Sequence, residues 1–217
     1  MGPDIARGTI VHHRPRPEDR LAAAFGVSRT RIRPVLVRLA NEKVVTLTPN
    51  RGAAIAEPSE AEAREVFEVR RMIEPLLVER FIGQATTAHL QALKHCIRDE
   101  EAARKAGDMR RAIRLSGDFH LQIAEHAGHQ TLGGILRELV SRTSLILMAY
   151  SAPHSQARDE ATACGCQEHR ALLAAIQLRD AKEAARLMRE HLDRLQAQLS
   201  FSTTPEAAPD LMELFGS

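Results

Sequence analysis

The chain has 217 residues, with 3% aromatic residues, no tryptophan, three cysteines and a formal net charge of +2. Abundant Ala, Leu, Arg and Glu favour helices over most of a length that suits two modest domains. An odd cysteine count argues against a disulfide framework, and no apolar run approaches the ~18 residues of a membrane span. The chain also begins without a signal-peptide pattern, so we predict a cytoplasmic protein with no membrane partner.

The charge is unevenly distributed between two parts of the chain. Residues 1–57 contain ten Lys and Arg against five Asp and Glu, a net charge of +5. Residues 58–217 contain 20 against 23, a net charge of −3. We therefore expect a polyanion to bind the N-terminal part.

The N-terminal part predicts a helix-turn-helix after an irregular, proline-interrupted segment over residues 1–16. A first helix over residues 18–25 is followed by Gly26, where the turn needs a left-handed residue. Ser28 is the natural N-cap of a second helix that runs to about residue 42. Its apolar residues at helical spacing predict the buried side, namely Ile32, Val35 and Leu39.

A β-hairpin is predicted after the second helix. Residues 44–48 are rich in strand-forming residues, residues 49–52 form a turn with Arg51 at its tip, and residues 53–56 form a second short strand. Two helices followed by such a hairpin are typical of a winged helix-turn-helix, with the hairpin as the wing. We therefore predict a DNA-binding domain over residues 1–57.

The second helix carries side chains suited to DNA at its N-terminal end. There, backbone amides and hydroxyls can contact phosphates and arginines can bind guanine. Arginines alone could equally form a solvated face, but the hairpin and the charge asymmetry favour a double-stranded DNA partner. The predicted contacts are Ser28, Arg29, Thr30, Arg31, Arg33, Arg51 and Gly52.

Residues 58–201 predict an all-α bundle of six helices. Pro58 marks the linker, and a capping box at residues 59–62 starts a helix that ends near Phe81. The next helices are predicted over residues 87–106, 108–127, 131–150, 157–178 and 181–201, with caps at Asp108, Thr131 and Asp180. Residues 202–217 are a tail whose apolar patch at 211–215 is available for docking.

His169 and His191 each occupy the apolar stripe of a predicted helix, and their midpoint, residue 180, lies in the turn between the two helices. In an antiparallel hairpin both imidazoles lie at the same height, roughly 16 Å from the turn. His120, beside Ser116 and Gly117, is a third candidate. Three converging imidazoles indicate a metal or effector pocket, although each alone could be a hydrogen-bonded core residue.

Two other residue patterns leave alternatives open. Arg70 lies on the apolar stripe of the first bundle helix, and a buried arginine needs an anion. That anion is either Glu74, one turn later, or an effector carboxylate bound by a bidentate fork. Cys164 and Cys166 could form a thiolate metal site, which we disfavour because structural zinc usually has four ligands in paired clusters.

The motif Leu-Ala-Ala-Ala-Phe-Gly-Val-Ser-Arg-Thr at residues 21–30, continuing through Arg33, Leu36, residues 38–39 and residues 50–53, resembles the DNA-binding domain of the GntR superfamily of bacterial transcription regulators. Residues 68–75, Phe119-His120, residues 168–176 and His191-Leu192 resemble its FadR-type effector domain, the FCD domain. The resemblance covers nearly the whole chain. It implies a ligand-controlled transcription factor, usually a homodimer on a palindromic operator, that binds a small carboxylate metabolite.

The resemblance also implies a divalent metal, such as zinc, nickel or manganese, bound by one Asp and three His. The histidines correspond to His120, His169 and His191, but Ser116 replaces the Asp. A neutral three-His set is expected to hold a metal ion less tightly. The predicted effector site consists of Arg70, Ser116, His120, His169 and His191.

Two departures from the family pattern lie in the DNA-binding part. Pro34 falls inside the second helix, where it removes one backbone hydrogen bond. We also expect the helix that the family places before Gly8 to be shortened or missing, because only seven residues precede this glycine.

If this helix is shortened, an alternative function for the chain is that of a metabolite-binding protein with impaired DNA binding. A less favoured one is a three-His metalloenzyme with an open coordination position. For such an enzyme, Ser116 and a remote Glu168 are the available candidates for a general base.

Overall fold

The computed structural model describes residues 17–48, 52–151 and 158–201, apart from the side chains of residues 17 and 158–164. The expectations for residues 1–16, Arg51, Cys164 and the tail at 202–217 lie outside the described residues. The described chain divides into two compact units. The first contains residues 17–41, 45–48 and 52–55, and the second contains residues 42–44 and the residues from Ala56 onwards.

The first unit is a helix-turn-helix followed by a two-stranded hairpin. Its elements are α1 (Pro17–Ala24), α2 (Arg29–Asn41), β1 (Val45–Thr48) and β2 (Gly52–Ile55). The strands are antiparallel, with Val45 opposite Ile55 and Thr48 opposite Gly52. Gly26, between the helices, has φ 61°, as its left-handed turn position requires. The predicted winged helix-turn-helix is confirmed.

The buried side of α2 differs from the predicted one. Ile32 and Leu36 are buried, whereas Val35 is 53% exposed and Leu39 is half-buried. A period of 3.6 residues allows the apolar contact at i+3 or at i+4, and here i+4 faces the core. Pro34 lies inside α2, which continues through it to Asn41 because a single lost backbone bond is tolerated near the start of a helix.

The second unit is an all-α bundle with the predicted number and order of helices. In the part of the chain that the structure describes, six helices form it: α3 (Glu60–Gln84), α4 (Thr87–Lys105), α5 (Met109–Glu125), α6 (Gln130–Tyr150), α7 (Arg158–Gln177) and α8 (Ala181–Ala197). Helix α3 packs on α5, α6 and α8, and α4 packs on α5 and α7. None of the described helices is long and apolar enough to cross a membrane.

Helix caps confirm several predicted starts and correct one. Ser59, Asp108 and Asp180 each accept a hydrogen bond from a backbone N–H three residues later. The predicted Thr131 cap is wrong, because the Nδ1 atom of His129 accepts from the Leu132 N–H at 3.4 Å and α6 begins at Gln130. Histidine is not among the preferred N-caps, so the sequence pattern favoured threonine.

The last helix is shorter than predicted. Helix α8 ends at Ala197 rather than Phe201. The Ser200 N–H donates to the Tyr150 carbonyl at 2.9 Å, and Leu199 forms a β-bridge with Ser151. These contacts with the end of α6 replace the last helical turn.

Candidate functional site

Three imidazoles from three helices meet inside the bundle. His120 lies on α5, His169 on α7 and His191 on α8, and all three are at most 2% exposed. The ring centroids of His169 and His191 are 4.7 Å apart, as the hairpin between α7 and α8 predicts. One nitrogen from each ring lies within 4.8 Å of the other two. The structure therefore brings the three predicted residues together.

A glutamate carboxylate binds the Nδ1 atom of each imidazole. Glu74 contacts His120 at 2.5 Å, Glu100 contacts His169 at 2.9 Å, and Glu168 contacts His191 at 2.6 Å. An ionised carboxylate can only accept, so each Nδ1 carries the proton and each Nε2 of a neutral ring keeps its lone pair. The Nε2 atoms of His120 and His191 lie 3.2 Å apart. This is how metal-binding histidines are oriented by their outer partners.

An arginine binds each of these glutamates in turn. The cluster therefore contains three sets of contacting groups, each with a guanidinium, a carboxylate and an imidazole. The arginine-to-glutamate distances are 2.5, 2.7 and 2.5 Å for the pairs Arg70–Glu74, Arg104–Glu100 and Arg194–Glu168. Each pair is neutral overall, so the surroundings add no net charge to the three rings. The arginine–glutamate pairs thus fix the orientation of the three rings without adding net charge.

The protonation states follow from burial and from these arginines. Burial raises the pKa of Glu74, but the charge of Arg70 and the hydrogen bonds from His120 and Arg70 outweigh this effect and bring the pKa to about 2. Burial also raises the pKa of Glu100, which its bonds to His169 and Arg104 bring down to about 2. Burial lowers the pKa of His191 to about 3 and lowers that of His120 as well. Near neutral pH these carboxylates are charged and these imidazoles neutral, the state that metal binding requires.

Two observations indicate that the three imidazoles are suited to bind a divalent metal ion. The Nε2 atom of His169 is buried and has no hydrogen-bond partner within the described residues. Two nitrogens that are each about 2.0–2.1 Å from one zinc ion lie roughly 3.0–3.4 Å apart, which matches the 3.2 Å between His120 and His191. Imidazole nitrogen suits zinc, nickel and other late transition metals. His120, His169 and His191 could therefore hold such an ion.

Arg70 has Glu74 as its anion, which is the first of the two alternatives that its position left open. Its Nε atom binds Glu74, and its Nη1 atom donates to the Thr143 hydroxyl at 3.2 Å. Its Nη2 atom is buried without a partner among the described residues. Ser116 is also buried, one turn before His120 on α5. One donor of the guanidinium thus stays available to an anion.

Sequence reasoning missed part of the cluster. Glu168 was expected to be remote, and this is wrong, because it reaches from α7 to His191 on α8. Glu100 and Arg104 were not identified at all, and neither was Thr143. Glu100 had a readable signal, since it is a charged residue on the apolar stripe that includes Cys96, Ile97 and Ala103.

The predicted DNA contacts lie on the surface of the first unit. Ser28 precedes α2, and the side chains of the four predicted residues of α2 are exposed, namely Arg29, Thr30, Arg31 and Arg33. Arg29 forms a salt bridge with Asp19 at 3.0 Å, and Gly52 begins β2. Arg51 is outside the described residues. The described donors gather around the start of α2.

Comparison with known families identifies both units. Residues 65–194, more than half of the chain, match the FCD domain, and residues 3–55 match the bacterial regulatory proteins of the gntR family. The chain belongs to the gntR family and carries an FCD domain. This gntR-family protein is therefore a bacterial transcription regulator with a DNA-binding helix-turn-helix.

Individual relatives agree with this assignment. The chain is 22% identical over 195 residues to the HTH-type transcriptional repressor RspR of Escherichia coli K12, covering 88% of this chain and 82% of that protein. It is 26% identical over 210 residues to the Uxu operon regulator of Haemophilus influenzae, covering 90% and 77%. The solved structure of E. coli McbR/YncC has the same fold, with a TM-score of 0.74, 22% identity and coverage of 83% and 84%.

Proposed function

We propose that this regulator binds a palindromic operator as a homodimer, and that a small carboxylate effector bound with a divalent metal ion in the FCD domain changes its affinity for DNA. The observation that carries this proposal is the convergence of three buried imidazoles whose Nδ1 atoms are all fixed by carboxylates. A core histidine needs one hydrogen-bond partner, but nothing in core packing requires three imidazoles, each oriented by a carboxylate, to bring one nitrogen apiece within 4.8 Å of the others.

His120, His169 and His191 would hold the ion through their Nε2 atoms. When bound, the ion supplies Lewis-acid attraction for carboxylate oxygens at its remaining coordination positions. Ser116 contributes no negative charge, so the effector carboxylate would be the one anionic ligand. We therefore expect the metal and the effector to strengthen each other's binding.

Arg70 would orient the effector. Its Nε and Nη1 atoms are used by Glu74 and Thr143, which fixes the plane of the guanidinium. The remaining buried donor, Nη2, costs about 1–3 kcal/mol when it has no partner. A carboxylate oxygen would recover that energy. This requirement favours acids over neutral metabolites.

The effector would act by shifting populations. If it binds more tightly to one arrangement of the two DNA-binding units in the dimer, a coupling of ~1–3 kcal/mol changes operator affinity about 5- to 150-fold. The metalloenzyme alternative has less support. The three carboxylates that contact the imidazoles are already bonded to an arginine each, so they are poorly suited to act as a general base.

A footprint on the DNA upstream of the protein's own gene tests the proposal. We expect a protected palindrome whose occupancy changes when zinc, nickel or manganese is added together with a pool of small carboxylic acids, and returns when a chelator removes the metal. His120→Ala should keep the footprint and lose the response.

The matched control is His95→Ala, because His95 is exposed on α4 and pairs with Asp99 rather than with a residue of the cluster. This control should respond like the unmodified chain. Absence of a footprint contradicts the proposed function. A response that survives in His120→Ala contradicts the assigned metal and effector site.

A further inference from the structure

The outward face of α2 carries an apolar stripe. At about 100° per residue, Thr30, Pro34 and Val37 lie within roughly 60° of one another and on the opposite side from Ile32 and Leu36. Ile32 and Leu36 are buried in the core of the first unit, whereas the three stripe residues are exposed, Val37 by 50%. An outward helix face usually carries polar residues, so this stripe needs an explanation.

Arginines border the stripe along both edges. Arg29 and Arg33 lie on one side and Arg31 on the other, and all three side chains are exposed. An open concavity adjoins the first edge and is lined by Glu18, Arg29, Thr30, Arg33, Pro34 and Val37. Glu18 lines the same concavity and Arg29 pairs with Asp19, so the three arginines outnumber the carboxylates by one. A net positive charge beside an apolar centre complements a DNA major groove, with phosphates along its walls and base edges at its floor.

Base pairs differ in what they offer to such a centre. Guanine presents two acceptors in the major groove, which would lose water without gaining a donor if they faced Pro34 or Val37. Thymine instead presents its 5-methyl group, which binds side chains by apolar contact. Among the four bases, thymine is therefore the one whose major-groove edge fits the stripe.

We infer that the operator of this protein carries thymine where it faces Thr30, Pro34 and Val37, and that the stripe reads the thymine 5-methyl group. The inference rests on the proposed function, because it names the DNA that the same surface selects. The bordering arginines supply phosphate contacts and guanine contacts on either side. The expected half-site thus contains thymine beside guanine.

The test begins by selecting binding sequences from a random duplex library with the full-length chain. Each thymine of the enriched sequence is then replaced by uracil, which deletes only the 5-methyl group and keeps the base pair. Burying one methyl group increases the affinity of a complex about fourfold. Fluorescence anisotropy measures the affinity of each duplex. Uracil in place of the thymine that faces the stripe should weaken binding about threefold to fivefold when one half-site is changed. The loss should be roughly 10- to 20-fold when both half-sites are changed.

Two valines of α2 provide a matched pair of variants. Val37→Ala shortens a stripe residue, and Val35→Ala shortens a valine that is equally exposed, at 53%, but points to another side of the helix. Val37→Ala should bind the thymine operator about threefold to fivefold more weakly and become indifferent to uracil. Val35→Ala should retain the full loss on uracil substitution. A third comparison replaces the thymine–adenine pair by cytosine–guanine. Cytosine that carries a 5-methyl group should bind more tightly there than cytosine without one.

The outcomes separate the inference from the function on which it rests. If the chain enriches no duplex sequence, the proposed DNA-binding function is contradicted. If it enriches a sequence that tolerates uracil at every thymine, the stripe does not read methyl groups, and only the inference is overturned. The inference is equally overturned if Val37→Ala keeps the same sensitivity to uracil as Val35→Ala.

Discussion

The two units of this protein place their functional residues in opposite surroundings. In the first unit the candidate DNA contacts are exposed and surround the start of α2. In the bundle, the three imidazoles and two of the glutamates that hold them are almost fully buried, and every one has a hydrogen-bonded partner. Substitutions of the exposed DNA contacts should therefore affect DNA binding alone, whereas substitutions in the buried cluster should affect both the stability of the bundle and its ligand binding.

The largest expected effect is that of Glu74→Ala on stability. This change leaves the buried Arg70 without its carboxylate and His120 without its Nδ1 acceptor. Removing one partner of a buried pair typically costs 3–5 kcal/mol, because the remaining charge is uncompensated. We expect the free energy of unfolding of the bundle to fall by about that amount, measured by urea denaturation followed by helical circular dichroism.

Helix α3 contains a matched control for this change. Arg64 and Glu60 form another pair four residues apart, but both side chains are largely exposed. Exposed pairs contribute about 0–1 kcal/mol, so Glu60→Ala should alter the free energy of unfolding by no more than that. If Glu74→Ala and Glu60→Ala destabilised the bundle equally, the contrast between buried and exposed sites would fail.

The corresponding change in the first unit is Arg33→Ala. Because Arg33 is exposed on α2, its removal should leave the free energy of unfolding unchanged. Operator binding should weaken by about 1–3 kcal/mol if Arg33 contacts a base. An electrophoretic shift assay measures this loss, and Arg110→Ala, which removes an exposed arginine from α5, is the control for net charge. Unchanged DNA binding would remove Arg33 from the reading surface.

The same contrast explains how far the sequence predicts the molecule. The pairing of His169 with His191 was readable because a short turn places residues equidistant from it at the same height. The contacts of Glu100 with His169 and of Glu168 with His191 depend on which side chains reach across packed helices, and no local spacing encodes that. Glu74 shows an intermediate case, since its distance from Arg70 predicted one of its partners and missed His120.

The helix termini and faces show where local rules are ambiguous. Ser59, Asp108 and Asp180 are strong N-caps and were predicted correctly, whereas His129 caps α6 with a ring nitrogen that propensity does not favour. On α2, spacing alone could not decide whether Val35 or Leu36 faces the core. In each case tertiary contacts select among options that the local sequence leaves nearly equal in energy.

The smallest expected effect is that of Ser116→Asp on metal affinity. It sharpens the comparison of the two units because one buried position should lose stability and gain affinity for the ion. Ser116 lies one turn before His120 and is 8% exposed. Ser116→Asp would add a buried carboxylate, which destabilises the metal-free bundle since the new charge loses its water. With metal present, the added charge lies beside a divalent cation, and we expect zinc affinity to rise about tenfold.

Titration calorimetry with zinc measures the affinity of Ser116→Asp, and thermal unfolding with and without zinc measures its stability. Ser116→Ala is the control, because it removes the hydroxyl without adding charge. The aspartate variant should be less stable than the unmodified chain without zinc and should gain more from zinc than the alanine variant does. Equal gains for both variants would mean that residue 116 does not face the ion, and the anionic ligand would then have to come from elsewhere.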